Sequence, residues 1–267
     1  MKNKTKLIGI LNLTSDSFSD AGNYIDISNA KNHVDEMIEQ GCRYIDIGAE
    51  STRPGFKDID SSTQIKKIIP IMKYIKSIDQ EISISIDTRS SEVADLCLEH
   101  GANIINDISG STHDDQMLSI INKHDAEIIL GHLPKEHQKK DLIITSDILL
   151  TLTKYFDQLI SNAKSSGINN TKIIIDPSIC FGKSGADNIK ILKNLDYFVK
   201  RYNRVCIGVS KKRFASYVFK DINDSELGIA SCAVSSFATY LGVEFIRVHE
   251  IEPNHDAVEV AWKTYTS

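Results

Sequence analysis

Short apolar runs recur along the chain at Leu7–Leu11, Tyr44–Ile47, Ile82–Ile86, Ile104–Ile105, Glu127–Leu130, Lys172–Ile175, Val205–Val209 and Phe245–Val248. Most are near-continuous in Ile, Val and Leu, the pattern of parallel strands buried on both faces. Between them, apolar positions fall at helical spacing over Asn29–Gln40, Thr63–Ile78, Ser91–His100, Asp114–Lys123, Ser146–Ser165, Asn188–Tyr202, Ser225–Leu241 and Asn254–Thr264. Gly41, Gly101, Gly167 and Gly242 stand where helices close, as a left-handed residue after a helix requires. Eight strands alternating with eight helices predict an α/β chain folded as a (β/α)8 TIM barrel, one domain over residues 1–267. A doubly wound open sheet alternates in the same way. Its dinucleotide-binding form places G-x-G-x-x-G after the first strand, and this chain has none there.

Composition narrows the function classes. The chain has 267 residues, 41% hydrophobic and 25% charged, enough to bury a large core. Lys plus Arg is 31 and Asp plus Glu is 36, a net charge of −5, which argues against nucleic-acid binding through a basic face. No apolar run approaches the ~18 residues of a membrane span. The stretch after the N-terminal lysines in MKNKTKLIGIL is shorter than the ~7–15 apolar residues of a signal-peptide core. Five scattered cysteines without a C-x-x-C pair suggest neither a zinc site nor a disulfide framework, so a reducing, cytoplasmic compartment is expected.

A barrel of this kind places its working residues at the C-terminal ends of its strands. In this chain those ends carry Asn12, Asp46, Asp87, Asn106 with Asp107, His132, Asp176, Ser210 followed by Lys211, Lys212 and Arg213, and Arg247 with His249. Asp46 alone reads more readily as a helix N-cap, and Asp107 as a cap or supporting residue. Together the ends line a pocket. Asp87, Asn106 and Asp176 can receive and donate hydrogen bonds around a flat nitrogen heterocycle. Arg53, Lys212, Arg247, His249 and Asn12 suit an anionic leaving group such as diphosphate. The Asn12 amide oxygen is also a hard donor suited to Mg2+. The polar loops over residues 13–28 and 49–62 have the length of lids.

GILNLTSDSFSDAG, DIGAESTRPG, SIDT, INDISG, DPSICFGKS, GVSKKRF and RVHE together resemble dihydropteroate synthase, in family order and spacing from about Leu7 to the C-terminal helix. The resemblance implies a (β/α)8 barrel that condenses 6-hydroxymethyl-7,8-dihydropterin diphosphate with p-aminobenzoate, assisted by Mg2+. It implies pterin binding by Asp87, Asn106, Asp176 and Lys212, and diphosphate binding by Asn12, Thr52, Arg53, Arg247 and His249. Thr52, Arg53, Pro54, Phe181, Ser210 and Lys212 would meet p-aminobenzoate, with Asp87, Asp176, Lys212 and Arg247 closest to the chemistry. It also implies a homodimer through the later helices and sensitivity of the family to sulfonamides.

Some positions depart from the family pattern. Ser15 and Ala49 replace a Pro and a Gly, Ser178 and Cys180 stand where glycines are expected, and Gly131 replaces a bulky apolar residue. If the two glycine positions need a positive φ, their side chains strain the loop beside Phe181. Two other readings keep the pterin pocket. A pterin-dependent methyl transferase has no use for STRPG or a diphosphate clamp, and a non-catalytic pterin-binding paralogue would rest on Ser178, Cys180 and Gly131. Cys180 reads as an inert thiol, His132 as either a site or a core histidine, and Lys139–Lys140–Asp141 as a solvated connection.

Overall fold

The computed structural model describes residues 4–13, 22–51, 58–217 and 223–266. Eight strands form one parallel sheet: β1 (Lys6–Asn12), β2 (Tyr44–Gly48), β3 (Ser83–Asp87), β4 (Ile104–Asp107), β5 (Glu127–Leu130), β6 (Ile173–Ile175), β7 (Cys206–Gly208) and β8 (Phe245–Val248). Their order is β6-β5-β4-β3-β2-β1-β8-β7, and a lone parallel bridge between Ile175 and Val205 joins the two edges. Helices follow each strand: α1 (Gly22–Glu39), α2 (Ser61–Ile78), α3 (Ser91–Glu99), α4 (Met117–Lys123), α5 (Lys135–Gln138), α6 (Ile148–Ser165), α7 (Gly185–Lys193), α8 (Leu195–Tyr202), α9 (Asp224–Leu241) and α10 (Ile251–Thr266). The strand and helix alternation is therefore that of the expected barrel, nearly closed.

Several boundaries differ from the sequence reading: α1 starts at Gly22, not Asn29, so residues 22–28 of the expected first loop are helical, α2 starts at Ser61, inside the expected second loop, and α10 starts at Ile251, not Asn254. Two more differ for local reasons. The helix expected over Asn188–Tyr202 is two helices, because Asn194 leaves helical geometry (φ −113°, ψ 28°) and its side-chain amide donates to the Lys190 carbonyl at 2.7 Å. The helix expected from Asp114 starts at Met117. The Asp114 carboxylate instead accepts the N–H groups of Ser91 and Gln116, so it holds two helix starts rather than joining one. Gly41, Gly101, Gly167 and Gly242 all adopt positive φ, as the helix endings predicted.

Strand alternation sorts the side chains into two cores. Ile45, Ile47, Ile84, Ile86, Ile105 and Ile128 point outward against the helices, with Met37, Met72 and Phe156 filling the layer between. Ile8, Ile104, Ile129, Ile174, Cys206 and Phe245 point inward and floor the barrel. Residues two apart on a strand share a face. The position two beyond each of Ile104, Ile174 and Phe245 is thus also inside, and it holds Asn106, Asp176 and Arg247. The floor of the barrel and the lining of the site are consecutive layers of the same strands.

The seam between β6 and β7 is short, and Arg204 braces it. Its backbone carbonyl accepts the Ile175 N–H at 3.1 Å. Its guanidinium donates to Glu244 at 2.7 and 2.8 Å, to Glu127 at 2.9 Å and to the Thr171 carbonyl at 2.6 Å. The side chain is 13% exposed, so screening is modest. Arg204→Met is expected to lower unfolding free energy by about 2–3 kcal/mol, because two carboxylates lose a charge-assisted partner. Urea unfolding of the variant checks this, and a loss under about 0.5 kcal/mol would mean that the seam does not need the brace.

Candidate active site

The inward residues near the strand ends meet in one buried network centred on Asp46. That residue lies mid-strand in β2, in register with Ile10 and Ser85, one layer below the row of Asn12, Gly48 and Asp87. Its carboxylate accepts from Ser85 Oγ at 2.5 Å, from Asn106 Nδ2 at 3.1 Å and from Arg247 Nη2. The N-cap reading of Asp46 is therefore corrected; the cap of α2 is Asp60, which accepts the Thr63 N–H at 2.9 Å. The available signal was period two on β2, where Tyr44, Asp46 and Gly48 share the inner face.

Arg247 crosses the barrel from β8, and its Nη2 also donates to Asp87 Oδ2 at 2.8 Å. Its Nε is buried with no hydrogen-bond partner among the described residues. Burial pushes the Asp87 carboxyl upward, opposed by Arg247 and reinforced by Asp46. The guanidinium itself stays charged: its two carboxylates outweigh its burial and raise it further.

On the opposite wall, Asp176 follows β6 and is 6% exposed. Its Oδ1 accepts the Ser178 N–H at 2.7 Å. Burial raises its carboxyl, with Lys212 the main opposing charge. Burial lowers Lys212 in turn, with Asp176 opposing. Lys212 Nζ donates to the Ile179 carbonyl at 2.9 Å and lies 4.5 Å from the centre of the Phe181 ring. Asp176, Lys212 and Phe181 thus form a row from the barrel axis to the mouth. Ser210 accepts the His249 N–H at 3.1 Å, and its hydroxyl lies 3.2 Å from His249 Nδ1. Burial, and then Arg247, pull His249 down to about 4, so at neutral pH it can act as a hydrogen-bonding group and not as a cation.

The loop after β6 has the backbone its glycine pattern predicted. Ser178 has φ 54° and Cys180 φ 71°, left-handed values that disfavour a side chain. Local bonds hold both. Ser178 Oγ accepts the His132 N–H at 2.8 Å, and Cys180 N–H donates to Asn188 Oδ1 at 2.8 Å. Lys183 is 4% exposed, and its ammonium donates to the carbonyls of Ser178 and Phe181. Gly131 has a packing reason: a Cβ there would lie 2.7 Å from the Ile108 backbone. Cys180 is raised by burial, which suits an inert thiol.

His132 is buried against Tyr155 at 4.6 Å between ring centres. Asp107 caps its own turn, accepting the N–H groups of Ser109 and Ser111. Residues 139–141 are exposed. Asn12 ends β1, half-buried beside Gly48. Thr52, Arg53, Pro54 and Ser15 lie outside the described residues. The structure therefore brings together Asp87, Asn106, Asp176, Phe181, Ser210, Lys212, Arg247 and His249, with Asn12 at the rim, and adds Asp46 and Lys183.

Comparison with known proteins identifies the family. The pterin binding enzyme family matches residues 8–249. Dihydropteroate synthase of Streptococcus pyogenes is 36% identical over 255 residues, covering 95% of this chain and 93% of that one. The Bacillus subtilis dihydropteroate synthase is 36% identical over 94% of this chain and 85% of its own. Among solved structures, dihydropteroate synthase from Clostridium difficile, determined in the presence of pteroic acid, superposes with a TM-score of 0.92 at 32% identity, covering 100% of this chain and 98% of that one. The Xanthomonas albilineans enzyme with 4-aminobenzoic acid gives a TM-score of 0.91 at 27% identity, covering 99% and 94%. The chain belongs to the pterin binding enzyme family, among its dihydropteroate synthases.

Proposed function

We propose that the chain condenses 6-hydroxymethyl-7,8-dihydropterin diphosphate with p-aminobenzoate, giving 7,8-dihydropteroate and diphosphate. The observation that carries this reading is the paired wall of Asp176 and Lys212 facing Arg247, Asp87 and Asn106 across one barrel mouth. Asn106, Asp87 and Asp176 offer the amide and carboxylates for the pterin ring edge. Lys212 stands between that ring and Phe181, where p-aminobenzoate would lie, with Ser210 beside it. Arg247 and His249 face the side from which diphosphate departs, and Thr52, Arg53 and Pro54 are proposed as further substrate-binding residues on the ground of the family resemblance alone.

In this reading the C–O bond to diphosphate breaks first, leaving a pterin methylene cation. The amine of p-aminobenzoate then forms the C–N bond and loses its proton to solvent. The Asp176 carboxylate stabilises the positive charge that spreads into the ring, and the cations stabilise the departing oxygens. The amine is already neutral at pH 7, so positioning and exclusion of water matter more than proton transfer.

Mg2+ would be held by the amide oxygen of Asn12 at the end of β1, since this ion prefers hard oxygen donors, keeps several waters and binds substrate phosphates. It would supply charge neutralisation of diphosphate. The described cluster of Asp95, Glu99 and His124 is a different feature, on the outer helix α3 and at the residue that ends α4, where Lys123 sits between its carboxylates at 2.8 and 3.6 Å.

The test is diphosphate release by the purified protein with and without p-aminobenzoate and Mg2+. Release that depends on p-aminobenzoate and yields dihydropteroate supports the synthase. Pterin diphosphate binding without product would favour the non-catalytic paralogue. The methyl transferase reading would require methyl transfer from a reduced folate.

No described helix is long and apolar enough to cross a membrane. The cysteines are free thiols, with Cys42, Cys97 and Cys206 buried, which supports the proposed cytoplasmic setting. A homodimer through the later helices is supported by Ile229, Phe237 and Tyr240 of α9 and Val260 of α10, which are 69%, 43%, 56% and 66% exposed. Ile229→Glu is expected to shift the protein to monomer in sedimentation equilibrium, and an unchanged dimer would move the interface elsewhere.

A further inference from the structure

Two side chains from other parts of the chain meet the Phe181 ring. Lys212 Nζ lies 4.5 Å from its centre, and the centre of the His137 ring lies 4.8 Å away, the two rings tilted by 51°. His137 belongs to α5, in the connection after β5, and is 5% exposed. Its Nδ1 accepts the N–H of Gly182, the residue after Phe181, at 3.1 Å. The Gly182 carbonyl accepts the Ile143 N–H at 2.8 Å. Gly182 also packs so closely on Pro134 that a Cβ there would lie 2.6 Å from the Pro134 Cγ. Phe181 donates its own N–H to the Ser178 carbonyl at 3.2 Å, and its carbonyl accepts from Lys183 Nζ at 3.1 Å. The turn after β6 is thus held from within by Lys183 and from outside by residues 134–143.

We propose that His137 is a positioning residue for p-aminobenzoate, acting through Phe181: its ring packs on the Phe181 ring while its Nδ1 fixes the Gly182 backbone. This rests on the functional reading above, in which Phe181 meets that substrate. Two effects combine. An aromatic pair at this separation sets the tilt of the ring. A buried N–H without an acceptor is costly, so loss of Nδ1 would turn the Gly182 peptide toward another partner. Gly182 has no side chain to oppose that rotation, whereas Cys180, at φ 71°, has few alternative conformations. The displacement therefore falls on Phe181, between them.

The test is steady-state kinetics of His137→Ala, His137→Asn and His137→Phe, with calorimetric binding of 6-hydroxymethylpterin. His137→Ala is expected to raise KM for p-aminobenzoate about tenfold, with kcat within about threefold of wild type. Pterin affinity should stay within about twofold, because Asp87 and Asn106 stand on β3 and β4. Asparagine carries its oxygen the same number of bonds from Cβ as Nδ1, so His137→Asn should keep the Gly182 bond and bring KM back toward wild type. Phenylalanine keeps the ring and loses the acceptor, so His137→Phe should resemble His137→Ala more than wild type. A folded His137→Ala with unchanged KM for p-aminobenzoate overturns the inference. So does a His137→Asn that behaves like His137→Ala, or a loss of pterin affinity as large as the rise in KM, either of which leaves His137 a packing residue. If His137→Ala does not fold, His137→Phe is read by the same criterion. A wild-type chain that makes no dihydropteroate overturns the functional reading instead. Calorimetric affinity for p-aminobenzoate, with 6-hydroxymethylpterin and diphosphate present, then replaces KM, and equal affinity in wild type and variant overturns the inference.

Discussion

Arg247→Met is expected to lower unfolding free energy by about 3–5 kcal/mol and to abolish turnover. The guanidinium lies between two inward carboxylates, Asp46 at 1% and Asp87 at 17% side-chain exposure, and is itself 12% exposed. Removing it leaves two negative charges in a space that water reaches poorly, which costs more than the ion pairs contributed. The sign with pH follows from Asp87, whose carboxyl burial already raises in the intact network. An acid raised in the folded state favours folding while protonated and loses that contribution as pH rises through its folded value. Without Arg247 the raise grows, so the destabilisation should be larger at about pH 8 than at about pH 5. Asp46→Asn in the Arg247→Met background should restore about 1–2 kcal/mol by removing one of the stranded charges. Urea unfolding at both pH values decides the matter. A pH-independent loss, or additive single and double variants, would show that the three groups do not act together.

Asp176→Asn is expected to cut kcat about 10²–10³-fold while leaving the fold intact. Asparagine has the same shape, and its oxygen can still accept the Ser178 N–H that now bonds Asp176 Oδ1 at 2.7 Å. What disappears is the negative charge opposite Lys212 and beside the ring where positive charge would develop. The loss should fall mainly in kcat, because p-aminobenzoate lies beyond Lys212, toward Phe181. Single-turnover rates separate this step from product release. A rate within about threefold of wild type would remove the carboxylate from the charge-stabilising role and leave it a binding group.

Most strands and the helices between them could be read from the amino-acid pattern, because the period of apolar residues is a local property that burial on a sheet or helix enforces. So could the positive φ at Ser178 and Cys180, since a loop with glycines at fixed offsets dictates its backbone whichever residues occupy it. The side chains of Asp87, Asn106, Asp176, Lys212 and Arg247 were legible for a related reason: barrel geometry puts strand ends at one mouth. Partnership was not legible. Asp46 looked like a cap because a sequence shows that an acid follows an apolar run, but not which of two faces it occupies or what lies across the barrel. Arg247 is 201 residues from Asp46, and only closure of the sheet brings them into hydrogen-bonding contact. The burial of Lys183 and its carbonyl partners, Ser178 and Phe181, were likewise not legible, since they depend on how the turn folds back on itself. Local periodicity thus determined the elements and the direction in which the strands present their ends. Only the tertiary structure decided which charges neutralise one another, because in a low-dielectric interior that depends on distances the chain order does not contain.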